Sequence, residues 1–274
     1  MRFFKLLLVP IAIAMGTISV QAQELYVFSE PASNMAAKSI GFRLTNEGVF
    51  SPDFRNRLIP ELMVGFNKNF MVHGQGYFSD MDGKYRAEGA GLYAKYRFLS
   101  IDEVKSHFRA AAFARVGTSN RPTYSEDINL EGDNTGVQAG VVFTQLLHKL
   151  ALSTTLSYSK AFDNMGTGDK AITGMPQPDH MLGYSLSSGY LLLPFVYKNY
   201  NQPNLNLYFE VLGKTNPENG KSYVDFAPAV QVIINSRTRV DLGYRFEIAG
   251  NLDNRYNKNM YMARVEFNFF NMLK

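Results

Sequence analysis

What most constrains this chain is an alternation of period two that returns along nearly its whole length. In YMARVEFNFF, Tyr261–Phe270, the residues Tyr261, Ala263, Val265, Phe267 and Phe269 share one parity, while Met262, Arg264, Glu266 and Asn268 share the other. Successive side chains of a strand point to opposite faces, so this stretch is a strand with one apolar and one polar face. The pattern is as clear where Val240, Leu242, Tyr244, Phe246 and Ile248 alternate with Asp241, Gly243, Arg245 and Glu247.

The spacing predicts twelve strands: Ser39–Thr45, Leu58–Asn67, Phe70–Ser79, Gly89–Leu99, His107–Gly117, Gly136–Leu147, Leu150–Phe162, Met181–Leu193, Leu205–Lys214, Tyr223–Ile234, Arg237–Ala249 and Met260–Phe270. The sixth and eighth carry apolar residues on both parities. Connections alternate in length. Lys68-Asn69, His148-Lys149 and Asn235-Ser236 are short, whereas Asn46–Ile59, Asp80–Glu88, Thr118–Thr135, Asp163–His180, Thr215–Ser222 and Gly250–Asn259 are long. Ser100–Ser106 and Pro194–Asn204 fit neither set well.

An even strand count with short turns on one side and long loops on the other predicts a transmembrane antiparallel up-and-down β-barrel of the outer-membrane type. Strands of about ten residues suit a tilted membrane crossing. A closed barrel also pairs every backbone group at lipid depth. The apolar parity then faces lipid and the polar parity the lumen, with Phe66, Phe70, Phe78, Phe98, Tyr158 and Phe267 as candidate interfacial aromatics. A secreted β-sandwich also alternates, but does not explain the loop lengths. Both termini are expected on the periplasmic side, with Thr118–Thr135 and Asp163–His180 outside. On the same logic an arginine at Leu242 faces lipid, and one at Gly243 faces the lumen and costs less.

The N-terminus carries Arg2 and Lys5, an apolar stretch from Leu6 to Ile18, and Val20-Gln21-Ala22, the pattern of a secretory signal peptide over residues 1–22. Its loss takes the formal charge from +4 to +2, since Arg2 and Lys5 are its only charged side chains. Basic residues are scattered in an exported chain, so no nucleic-acid partner is expected. There is no cysteine, which excludes disulfides and thiolate metal centres. The barrel is assigned to 39–274. Residues 23–38, containing Glu24–Lys38, form a leader that either threads the lumen as a plug or hangs free as a flexible terminus.

The signal peptide, the twelve strands and the closing LGYRFEIAGNLDNRYNKNMYMARVEFNFF resemble the outer-membrane barrels of Bacteroidota-type bacteria, in particular the loose group of phenol meta-pathway-like outer-membrane proteins. The resemblance implies a bacterial outer-membrane location, contact with outer-membrane lipid and insertion by the barrel-assembly machinery. It carries over no site residue. Such barrels end on an aromatic residue, whereas here Asn271–Lys274 follow Phe270. The assembly signal is therefore expected slightly inward, at Tyr261–Phe269.

The lumen parity holds the chemistry. The expected lumen-lining residues are Arg43, Glu61, Lys95, Arg97, Arg109, Arg115, Glu210, Asp225, Asp241, Arg245, Glu247, Arg264 and Glu266, with Arg239 beside them. The fourth and fifth strands carry only bases and the ninth to twelfth carry most of the acids, so a basic wall would face a mixed acidic one. Ser153, Thr155, Ser157, Ser159, Ser185 and Ser187 hydrate the arc between. This favours a narrow channel for small solutes with a transverse field, the solute itself being unspecified. A lumen filled by salt bridges is the alternative, because twelve strands lie between barrels that fill their interior and barrels that hold a channel.

Other motifs carry less. GMPQPDHM, Gly174–Met181, places Met175, His180 and Met181 in an external loop, a set suited to copper but without recognised spacing. DINLEG, Asp127–Gly132, resembles half a calcium loop, yet its twelfth position is Gln138 rather than glutamate. A hydrolase needs a histidine that activates a serine. Of His73, His107, His148 and His180, none has an evident lipid-facing serine partner. No enzyme activity and no cofactor are expected. The runner-up function is a structural or surface-interaction barrel that binds a partner or metal through its external loops.

Overall fold

The structure, a computed structural model, describes residues 26–121, 126–163, 179–196, 201–252, 255 and 258–273. The expected signal peptide and Met175 lie outside these residues. Twelve strands form, at β1 Ser39–Val49, β2 Arg55–Gly65, β3 Phe70–Ser79, β4 Arg86–Glu103, β5 Ser106–Ser119, β6 Gly136–Leu147, β7 Leu150–Ala161, β8 His180–Leu193, β9 Asn204–Thr215, β10 Ser222–Ile234, β11 Thr238–Gly250 and β12 Asn259–Phe269. Each pairs antiparallel with its sequence neighbours, and β1 pairs with β12 from Ile40↔Phe269 to Gly48↔Tyr261, which closes the barrel. Closure leaves no edge strand with unpaired N–H and C=O groups.

The inside-out pattern is that of a membrane barrel. On β11, Asp241 is fully buried while its neighbour Leu242 is 61% exposed. Leu62, Leu92, Leu156, Leu186, Phe209 and Ile248 are likewise exposed, and Arg43, Glu61, Lys95, Glu210, Asp225 and Glu266 are buried. A water-soluble sheet cannot sustain that distribution. In lipid the exposed leucines lie in their own solvent and the charges pair inside.

Several strands are longer than their apolar runs. β1 continues through Glu47 to Val49 and β2 begins at Arg55, so the connection expected over Asn46–Ile59 shrinks to residues 50–54. β4 and β5 meet at a two-residue turn, Val104-Lys105, rather than at the expected Ser100–Ser106 connection. Lys105, His148, Asn235 and Ser236 adopt φ between 52° and 63° in their turns, the left-handed geometry that hairpin turns require. His180, expected in a loop, is the first residue of β8.

Residues 26–35 enter the barrel. Tyr26 and Val27 pack with Leu146, Ala151, Tyr208, Ala229 and Met262, and Met35 packs with Met63, Met71 and Tyr93. This bears on the expectation for Gly243. A Cβ at Gly243 would stand 2.7 Å from the Phe28 ring, so the lumen is already occupied at that position. Leu242→Arg should lower stability by about 2–4 kcal/mol, since it places a charge in lipid. Gly243→Arg should instead leave the barrel folded and eject Phe28. Chemical unfolding in lipid vesicles measures the first effect, and protease nicking of the N-terminal segment measures the second.

Candidate functional site: the barrel lumen

The lumen is divided by two segments that are not part of its wall. From the end where β1 begins, the leader crosses the interior. The backbone N–H groups of Val27 and Phe28 donate to Glu210 Oε1 at 2.9 and 2.8 Å, and the Ser29 hydroxyl donates to Glu210 Oε2 at 2.6 Å. The Ala32 N–H donates to Thr144 Oγ1 at 2.9 Å. Lys95 Nζ donates to the carbonyls of Pro31 and Ser33 at 2.6 and 2.9 Å, and Arg109 donates to Ser33 Oγ at 2.9 Å. An extended segment with no strand partner thus has backbone groups satisfied by side chains of β4, β6 and β9, and its Ser33 hydroxyl by Arg109 of β5.

At the opposite end the β5–β6 loop folds into the mouth. Ile128 and Leu130 pack with Ala161, Met181, Tyr223 and Leu252. Lys214 Nζ donates to Asp127 Oδ1 at 2.8 Å and to the Ile128 carbonyl at 2.6 Å. Arg57, from β2, bonds Glu88 Oε2 at 2.8 Å and also pairs with Asp133, which Arg121 shares. Gly132 sits among these groups with φ +105°, and a Cβ there would meet Arg57 Nε at 2.9 Å. Only glycine offers both that conformation and that clearance.

A chamber of about 260 Å³ lies between the two segments. Val27–Glu30 line one side and Ile128–Glu131 the other, with a wall that includes Glu47, His73, Gln75, Tyr93, Phe113, Thr155, Ser157, Ser159, Ser185 and Lys214. Arg43 is its hub. Its Nε donates to Glu266 at 2.8 Å, and one terminal nitrogen lies 2.9 Å from Glu30 and 3.3 Å from Glu61. His73 Nδ1 stands 2.6 Å from Glu61 Oε1.

The thirteen expected lumen residues divide by depth. Arg43, Glu61, Arg115, Arg245 and Arg264 border the chamber. Lys95, Arg109 and Glu210 hold the leader. Asp225 pairs with Arg245 and Arg255, and Asp241 lies 3.0 Å from Arg239. Glu247 is 3.1 Å from Arg255, Glu266 is 3.4 Å from Arg239, and Arg97 is buried in the wall.

The expected transverse field is largely cancelled at source. Glu30 of the leader lies 3.8 Å from Lys95, Asp102 is 2.9 Å from Arg109, and Glu131 of the loop pairs with Arg115. On the other wall Arg255, from the β11–β12 connection, serves Asp225 and Glu247. The sequence reading missed Glu30, Asp102, Glu131 and Arg255. Three lie in segments with no strand period, and Asp102 lies beyond the apolar run of β4. Arg57 and Glu47 could have been found by continuing the period past the last apolar residue, whereas Glu88 falls on the lipid-facing parity and turns inward only at the β-bulge opposite Tyr77 and Phe78.

No protein-family model matches the sequence, and no curated protein matches it. Solved structures do match. An outer-membrane channel from Pseudomonas putida F1 is 13% identical, with a TM-score of 0.57 over 89% of this chain and all of that one. The NanC porin is 10% identical, with a TM-score of 0.50 over 84% of this chain and 98% of that one. The fold is that of an outer-membrane β-barrel. At such identities no residue role transfers, and the lumen has to be understood from its own contacts.

The long-loop rim differs from expectation. His180 and Met181 are consecutive on β8 and face opposite sides. Met181 is buried with Ile128 and Tyr223, so its thioether does not join the imidazole. Instead His180 Nε2 lies 3.0 Å from Asp179 and 4.0 Å from Glu218. A hydrogen bond to Asp179 raises the Glu218 carboxyl above its ordinary value.

Removing the hub would take one cationic partner from each of three acids. Arg43→Met should destabilise the barrel by about 3–5 kcal/mol, the usual effect of deleting one member of a buried ionic cluster. Urea unfolding in detergent checks it, and a loss below about 1 kcal/mol would mean that water already screens Glu30, Glu61 and Glu266.

Proposed function

We propose that this chain is a narrow outer-membrane channel for small solutes, without enzymatic activity, and that its N-terminal segment closes it at rest. The observation that carries the reading is the nature of the obstruction. Behind the leader and the β5–β6 loop lies a polar chamber, and neither obstruction belongs to the wall. Both are held by hydrogen bonds and ion pairs together with small, separate apolar clusters. The resemblance to Bacteroidota-type barrels supports the outer membrane of a Gram-negative cell as the location. It also supports lipid as the surrounding solvent and the assembly machinery, engaging Tyr261–Phe269, as the inserting partner.

Planar-bilayer recording tests the proposal. The intact barrel should show small or infrequent openings, and a barrel lacking residues 26–36 should conduct steadily. Silence from the shortened barrel, once its folding is verified by circular dichroism, would sink the channel reading and leave the surface-interaction role. The leader also supplies Glu30 to Lys95 and Arg43. Its deletion should therefore move the reversal potential toward anion selectivity, an effect that shrinks as salt screens the exposed bases. Replacing Lys95, Arg97, Arg109 and Arg115 by glutamine in the shortened barrel should reverse the shift.

A further inference from the structure

The long-loop rim outside the barrel carries a second arrangement that the lumen does not use. We propose that Asp179, His180 and Glu218 form a site for a divalent transition-metal ion of the zinc class. Their ligand atoms all lie within 4.8 Å of one another. His180 opens β8 and Asp179 immediately precedes it, while Glu218 comes from the β9–β10 connection, so a bound ion would tie that loop to the barrel.

Two features distinguish the site from a chance surface cluster. First, the imidazole is held from outside the cluster. The Tyr158 hydroxyl, from β7, hydrogen-bonds His180 Nδ1, which fixes the ring and leaves Nε2 directed at the carboxylates. Metal-bound imidazoles are oriented in this way. Second, two of the ligands are fixed by the barrel and the third is carried on a loop. The Asp179 carbonyl accepts from the Ala161 N–H at 2.8 Å, and His180 lies in the β7–β8 ladder opposite Lys160. Glu218 is half exposed on a loop. Bonds of about 2.0–2.2 Å to zinc place tetrahedral ligand atoms ~3.3 Å apart, so Glu218 needs to approach by roughly 1 Å. One nitrogen and two carboxylates suit zinc, with a fourth position left open.

Lys160 Nζ stands 3.9 Å from Asp179 Oδ2. It acts as a resident cation that an incoming ion must displace, so removing it should tighten binding. The inference is independent of whether the lumen conducts.

The test is isothermal titration of the untagged, folded barrel with zinc chloride, with cobalt absorption as a second readout. One ion per chain is expected. His180→Ala and Glu218→Gln should each weaken binding at least about tenfold. Tyr158→Phe, which touches only the orientation of the ring, should weaken it by about tenfold, and Lys160→Met should strengthen it. Glu218→Gln changes an exposed loop residue and leaves the fold alone, so its result stands even if a strand variant misfolds. A wild-type barrel that binds no zinc saturably, or variants at 180 and 218 that bind as tightly as wild type, would overturn the assignment.

Discussion

Everything in this structure depends on the pairing of β1 with β12. At lipid depth a backbone N–H or C=O without a partner costs several kcal/mol, and only closure removes the last two edges. The register from Ile40↔Phe269 to Gly48↔Tyr261 does more than seal the sheet. It sets Arg43 opposite Glu266 and Thr45 opposite Arg264 on the inner face, so the same pairing that satisfies the backbone brings the first and last lumenal charges together. A slip of one residue would turn every side chain of one strand to the wrong solvent, and Arg43 would face lipid. The register is therefore fixed twice, by the lipid face and by the ion pairs.

Closure creates the next problem. The interior of a twelve-stranded barrel is too wide to be filled by side chains as an eight-stranded one is. The walls supply charges from opposite arcs, and such charges cannot pair directly across an open lumen. The chain resolves this with segments outside the sheet. Glu30, Glu131 and Arg255 come from the leader, the β5–β6 loop and the β11–β12 connection, and each lands beside wall charges of opposite sign. Such buried pairs are weak evidence of stability in themselves, since desolvation offsets much of their attraction. What they provide here is position, because a segment that carries a misplaced charge into this lumen would leave two groups unpaired.

This explains what was legible in the sequence. The lipid enforces one side-chain chemistry on every second residue, so strand number, facing and the closed barrel follow from the alternation, as at Val240–Ile248. The limits of the strands do not follow, because the enforcement ends where lipid ends. Beyond it β1 runs on through Glu47 with no apolar partner parity to mark it, and a β-bulge between Arg97 and Leu99 shifts the parity before β4 reaches Asp102. The lumenal charges could be listed, since parity assigns them inward. Their partners could not, because Glu210 meets Val27 across 183 residues of sequence and Lys95 meets Pro31 across 64. No local period encodes those contacts.

The same reasoning accounts for the chemistry of the leader. An extended chain in a lumen has no strand to pair with, so its N–H and C=O groups need side-chain partners, and only a polar interior offers them. Glu210 accepts from two successive N–H groups, Lys95 donates to two carbonyls, and Thr144 takes a third N–H. These residues suit water equally well. If the leader leaves, each is rehydrated rather than stranded, and the net cost of release is far smaller than the number of contacts suggests, because each lost hydrogen bond is exchanged for one to water. A leader sealed by leucines would have no such exchange open to it. Holding the backbone of the segment by polar groups, with apolar packing confined to a few side chains such as Tyr26, Val27 and Met35, is thus the physical condition under which it can close a lumen without closing it permanently.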